Sequence, residues 1–164
     1  MNKLITIDSL YTKLSSSEKT SYVMNDANLV INKATSIGVV GESGSGKTEF
    51  LKAVCGIQEM IPGITKGNIL YNYNNSNFNM YVKNKEKYSL NSNHKKIKKD
   101  LIGFIPQDPK SFLNPYWTIE QLFSQTYKLS NQTKSFDDFL MYYLKLGGIE
   151  DGGKFRNKRP SQLS

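Results

Sequence analysis

The sequence predicts an α/β fold. Three observations point to it: two short apolar runs, "TSIGVV" and "LIGFI", suited to strands buried on both faces; a glycine-rich turn directly after the first; and a final third of helical design. The resulting order is strands, a strand–loop–helix unit, more strands, then a helical block.

The elements follow in chain order. "KLITID", 3–8, reads as a strand, and so does "ANLVINK", 27–33, where Ala27, Leu29 and Ile31 alternate with Asn28 and Asn32. "SSSEKTS" between them reads as a turn or loop. "TSIGVV", 35–40, is rich in β-branched residues and suits a strand of a parallel sheet. "KTEFLKAVCGI" has helical spacing, with Phe50 and Val54 four apart and Leu51 and Val54 three apart. "GNILYNY", 67–73, is a further strand, and the polar stretch 74–92 reads as an insertion or long loop. "NHKKIKKD" suits a short helix, and "LIGFI", 101–105, a second buried strand ended by Pro106. In "TIEQLFSQTYK", Ile119, Leu122, Phe123 and Tyr127 share one helical face, and Thr118 and Gln121 are placed as a capping box. "SFDDFLMYYLKLGG" repeats that design, with Ser135 and Asp138 at its start and a Gly147-Gly148 stop. No internal repeat is present.

Bulk properties narrow the function classes. The 164 residues are the size of one domain. The single cysteine, Cys55, rules out an intramolecular disulfide framework and fits a reducing compartment. The N-terminus lacks the apolar core of a secretory signal, with Asp8 interrupting it early. No apolar run approaches the roughly 20 residues needed to span a bilayer. The net charge of +8 favours phosphate-bearing partners. Seven lysines lie between Lys83 and Lys99, and a second basic group runs from Lys154 to Arg159. Phe78, Tyr81 and Tyr88 interleave with the first cluster, but no nucleic-acid motif accompanies them. A solvated loop and a charged helix face account for these lysines, and no nucleic-acid partner is expected.

"GESGSGKT", Gly41 to Thr48, fits G-x-x-x-x-G-K-[ST] without a mismatch. Each residue type has a physical reason to be there. Gly41, Gly44 and Gly46 permit positive φ and let backbone approach a ligand closely. The N–H groups of Glu42, Ser43 and Ser45 can turn inward to form an anion nest. The helix starting near Lys47 adds its positive dipole end, and Glu49 follows in its first turn. Lys47 can reach the β- and γ-phosphates, and the Thr48 hydroxyl can ligate Mg²⁺. A Gly/Ser-rich turn with a surface lysine would match the pattern by chance. The buried strand expected before the loop and the amphipathic helix after it favour a nucleoside triphosphate with Mg²⁺. The loop does not name the reaction, because kinases, GTPases, helicases and transport ATPases all use it.

A further stretch discriminates. "GFIPQDPKSFLNPYWTIEQLF" carries Gln107 directly after the second buried run, then Asp108-Pro109, then Leu113-Asn114-Pro115 before a capped helix. Together with "VVGESGSGKT" it closely resembles the ATP-binding subunits of ABC transporters, in the subgroup that imports oligopeptides, dipeptides or nickel. "RPSQLS" supplies Pro160 and Gln162 of a Pro-x-Gln stretch and then Leu163 and Ser164 of the Leu-Ser-Gly-Gly-Gln signature that often follows it in this subgroup, and the resemblance implies that the chain stops inside that signature. The fold expected is then a P-loop NTPase of ABC type. Residues 1–110 form an N-terminal antiparallel β region and P-loop core with a polar insertion about 74–94. Residues 111–164 begin the helical subdomain, and the C-terminal part of the core is missing.

The resemblance also implies a mechanism. Two such subunits sandwich ATP between the P-loop of one and the signature of the other, and hydrolysis drives the membrane subunits. Gln107 contacts Mg²⁺ or the attacking water, and its loop moves with the membrane subunit. An aromatic residue stacks on adenine. Tyr11 and Tyr22 are the candidates and Tyr22 is preferred, although either could simply cover sheet surface. The implied location is the inner face of the cell membrane. The family's Walker B aspartate, catalytic glutamate and switch histidine would follow Ser164. The one histidine, His94, lies in the polar stretch and is expected to be solvent-exposed. These 164 residues are therefore expected to bind Mg–ATP weakly with little turnover, and to expose apolar surface where strand neighbours are lacking. A different P-loop enzyme such as a kinase, a truncated non-hydrolysing regulatory or decayed product, and a ribosome-directed ABC ATPase are the alternatives.

Overall fold

A computed structural model describes residues 3–15, 19–59, 61–74, 76–130 and 132–163. The chain divides into two compact units, residues 1–104 and 105–164.

The first unit is built on an antiparallel sheet. Its strands are β1 (Lys3–Ser15), β2 (Thr20–Asn32), β3 (Pro62–Tyr73) and β4 (Ser76–Asn79), in the order β2-β1-β3-β4. Alternation in β1 buries Ile5 and Ile7, which pair with Ile31 and Leu29 on one side and Tyr71 and Ile69 on the other. After Ile7 the register shifts, with Ser9 at φ 45°, so that Leu10 and Thr12 continue the buried face. Gly67 permits the matching close approach in β3, because a Cβ there would lie 2.3 Å from the Ser9 carbonyl oxygen.

Helix α1 (Lys47–Val54) lays Ala53 and Val54 into this core. Its last carbonyls are satisfied by two phenols: Tyr71 Oη donates to the Val54 oxygen at 2.6 Å and Tyr81 Oη to the Ala53 oxygen at 3.0 Å. Burial pushes both phenol pKa values up, so they remain protonated donors. The C-terminal end of α1 is thereby pinned, which fixes where its N-terminal end points. Helix α2 (His94–Leu101) adds Ile97 to the same core.

Three expectations are corrected in this unit. Residues 74–92 are not a loop. They contain β4, then a hairpin of β5 (Tyr81–Asn84) and β6 (Lys87–Leu90) around Lys85 at φ 55°. Met80 is fully buried between them. "TSIGVV" and "LIGFI" are not strands; Leu101 closes α2, and residues 35–42 and 102–106 have no ladder partner. An apolar run becomes a buried strand only if neighbours take its N–H and C=O groups, and among the described residues none is placed to do so. Val40 is consequently 91% exposed and Ile105 87%. His94 is half-buried rather than solvent-exposed, with Nδ1 2.7 Å from the Asn91 carbonyl oxygen at the start of α2.

The second unit packs α3 (Ile119–Leu129), α4 (Phe136–Leu146) and the short α5 (Gly152–Arg156). The capping box at Thr118 and Gln121 is formed, at 3.2 Å and 2.9 Å. Ser135 caps α4 by accepting from the Asp138 N–H at 3.1 Å, and Gly147 and Gly148 end it. Ile119, Leu140 and Leu144 are buried together, joined by Leu122, Phe123 and Leu163. Arg156 of α5 bridges Glu120 of α3 at 2.8 Å and Asp137 of α4 at 2.6 Å.

Candidate nucleotide-binding loop

Residues 41–45 form an exposed loop that leads into α1 through Gly46 at φ 89°. Only glycine suits that position. A Cβ would lie 2.9 Å from the Val23 carbonyl oxygen and 3.1 Å from its Cγ1, so β2 backs directly onto the loop. Within the loop the Ser45 N–H donates to the Glu42 oxygen at 3.2 Å, and the Phe50 N–H to the Gly46 oxygen at 2.8 Å. No side chain caps α1. The amides of its first turn therefore keep their capacity for an anion, and the dipole favours one.

Lys47 curls back over the loop. Its Nζ donates to the Gly41 oxygen at 2.8 Å and the Glu42 oxygen at 2.6 Å. One ammonium thus stands above a loop of exposed residues, and Thr48, at the helix start, is exposed. This donor set is cationic, rich in N–H groups and open to solvent, so it fits a polyphosphate and its Mg²⁺. Glu49 pairs with Lys52 at 3.1 Å, along the helix.

Tyr22 precedes Val23 on β2, on the strand against which Gly46 rests. Tyr22 is 56% exposed, and its ring meets Tyr11 edge to face at 6.1 Å, with Lys13 Nζ 4.5 Å from its centroid.

Gln107 lies in the second unit, exposed, and follows an irregular segment rather than the strand expected before it. The residues after it are ordered by their own side chains. Asp108 Oδ1 accepts from the Lys110 N–H at 3.2 Å and caps a 3₁₀ turn, Pro109–Phe112. Asn114 Oδ1 accepts from the Tyr116 N–H at 3.0 Å. In "RPSQLS", Pro160 is buried and Gln162 folds back onto the Arg159 N–H at 2.8 Å, while Ser164 lies outside the described residues. Sequence reasoning missed Lys110, whose Nζ donates to the Leu163 carbonyl oxygen at 2.8 Å. No local pattern signals a contact across 53 residues.

Comparison with known proteins agrees with this geometry. The family model described as ABC transporter matches residues 24–164. An oligopeptide transport ATP-binding protein, OppD of Haemophilus influenzae (strain ATCC 51907 / DSM 11121 / KW20 / Rd), is 33% identical over 124 residues, covering 74% of this chain and 35% of that protein. A metal-staphylopine import system ATP-binding protein, CntD of Staphylococcus aureus (strain Mu50 / ATCC 700699), is 26% identical over 144 residues, covering 87% of this chain and 49% of that protein. The chain thus spans between a third and a half of the length of these relatives. Among solved structures, the dimeric ATP-binding cassette MJ0796 in a post-hydrolysis state with ADP and Pi superposes with a TM-score of 0.73 at 23% identity, over 98% of this chain and 63% of that one. A second dimeric structure of MJ0796, described as a bacterial ABC transporter cassette, gives a TM-score of 0.71 at 22% identity. With a family match reaching from Met24 to the last residue and the fold of an ATP-binding cassette, the chain belongs to the ABC transporter family.

Proposed function

We propose that this chain is the P-loop part of an ABC ATP-binding subunit serving an importer of peptides or nickel. The observation that carries the proposal is the Lys47 ammonium, held over exposed loop carbonyls at the uncapped start of α1. Those carbonyls are weak, replaceable partners. Exchanging them for phosphate oxygens gives Lys47 charge-assisted bonds in place of neutral ones. The backbone N–H groups of residues 42–48 orient the phosphates, and the Thr48 hydroxyl is the oxygen this loop can offer to Mg²⁺. Tyr22 is the aromatic best situated to stack on the base, since it neighbours the residue that backs Gly46. Gln107 is the second Mg²⁺- or water-directed group, carried on the Asp108-capped segment.

The partners proposed are a second ATP-binding subunit, of the same or a related kind, and membrane subunits engaged through the Gln107 segment. A groove of about 530 Å³ supports the latter. It is lined in part by Leu113 of that segment and by Leu122, Phe123, Phe139 and Tyr143 of α3 and α4. No helix among the described residues is long and apolar enough to cross a membrane, which suits a subunit lying peripherally on its inner face. The relatives named for oligopeptide transport and metal-staphylopine import support the substrate class.

In-line attack on a γ-phosphate needs a positioned water and charge support beyond the P-loop. These 164 residues should therefore bind Mg–ATP without sustained turnover. Phosphate release measured on the purified chain tests this. The expected result is a rate indistinguishable from buffer. Robust hydrolysis that disappears in Lys47→Ala would overturn the no-turnover part, and transfer of phosphate to a small acceptor would overturn the transporter assignment.

A further inference from the structure

The Gln107 segment and the "RPSQLS" segment are joined by one side chain, and nothing in the function proposed above uses it. Lys110 leaves the 3₁₀ turn that follows Gln107, and its Nζ donates to the Leu163 carbonyl oxygen at 2.8 Å. Both ends of this bridge are built. At one end Asp108 fixes the Lys110 backbone through its N–H, and Ser111 Oγ donates to the Asp108 oxygen at 2.8 Å. At the other end the Leu163 side chain packs with Ile119, Leu140 and Leu144. There the Leu163 N–H donates to the Pro160 oxygen at 3.2 Å and Gln162 closes on Arg159.

We propose that Lys110 is a positioning residue that ties the placement of the Gln107 segment to that of the Leu163 carbonyl, an assignment that rests on the roles given to Gln107 and "RPSQLS" above. The physical reason lies in the acceptor. A peptide bond is planar, so a donor that holds a carbonyl limits the rotation of the peptide to which it belongs. The Leu163 carbonyl lies at the end of the turn that begins at Pro160. A charged donor holds such an oxygen more strongly than a neutral one does. When the Gln107 segment moves, Lys110 moves with it, and the carbonyl is either pulled along or released.

The test is residue-resolved amide exchange by NMR on the full 164-residue chain without nucleotide. The bridge is thereby judged separately from nucleotide binding, which Lys47 variants report. Lys110→Met removes the donor and keeps the length of the side chain. The Gln162 and Leu163 amides should then exchange about three- to tenfold faster, the net worth of one ordinary hydrogen bond at an exposed position. Lys110→Arg should restore slow exchange, which a merely space-filling role would not require. Asp108→Ala, two residues from Lys110 in sequence but on the far side of the bridge, should accelerate the same two amides. Combined with Lys110→Met it should add nothing further. Leu140 and Leu144 amides serve as the folding control. Unchanged exchange at Gln162 and Leu163 in Lys110→Met, or acceleration that Lys110→Arg does not reverse, would overturn the proposal.

Discussion

Gly46 and Tyr22 mark the two sides of the proposed site, and each makes a separable prediction. Gly46→Ala puts a Cβ 2.9 Å from the Val23 oxygen at a φ of 89° that side-chain-bearing residues rarely adopt. It should cost about 1–3 kcal/mol in the denaturant-unfolding free energy of the chain. It should also weaken nucleotide binding, because relief of the clash moves the loop off β2. Tyr22→Ala should lower affinity for ATP but leave affinity for inorganic triphosphate unchanged, and Tyr22→Phe should behave as the native residue in both. Equal losses for the two ligands, read by competition binding, would place Tyr22 with the phosphates and not the base. The loop was legible in the sequence because the groups proposed to hold the ligand are contiguous: backbone from 41 to 48, one lysine, one threonine. Lys110 was not, because a long flexible side chain in a loop carries no periodicity and its acceptor is a backbone atom 53 positions away.

Between strands and helices, legibility followed the range of the interactions. The capping box at Thr118 and the Ser135 cap were readable because each is complete within four residues. β1, β2 and β3 were readable in part from alternation, although each runs further than its apolar stretch. The β5–β6 hairpin was hidden because its turn uses Lys85 at positive φ, where glycine or asparagine is the usual signal. The Arg156 bridge was equally hidden, since it joins three helices far apart in sequence. It carries a pH prediction. The hydrogen bond from Arg156 is the main cause that holds the Glu120 carboxyl below its ordinary range. A depressed folded-state value contributes stability that is fully present above the unfolded value, about 4.3, and is lost as pH falls through the folded one. Native helical stability should therefore fall on acidification below about pH 4. In Arg156→Met it should start lower and fall less over the same window. Circular dichroism melts across that range check the slope, and parallel pH profiles for the two proteins would contradict the bridge.

For the chain taken entire, the family expectation and the local one part company at the two apolar runs. "TSIGVV" and "LIGFI" have the composition of buried parallel strands, yet Val40 and Ile105 lie almost fully exposed. Strand composition states a demand for neighbours, and a ladder forms only where another segment meets it. The antiparallel sheet and the helices meet their own demands within these residues, which is why they are formed. The P-loop is held by α1 and β2 and does not depend on a ladder partner for either apolar run. Nucleotide binding is thus the property that should survive in this chain. Calorimetric titration of Mg–ATP into the 164-residue protein, beside Lys47→Ala, tests it. A saturable one-to-one isotherm, weakened at least about tenfold (~1.4 kcal/mol) by Lys47→Ala, is the predicted result. Absence of binding by the folded native chain, or equal affinity in the two proteins, would contradict it.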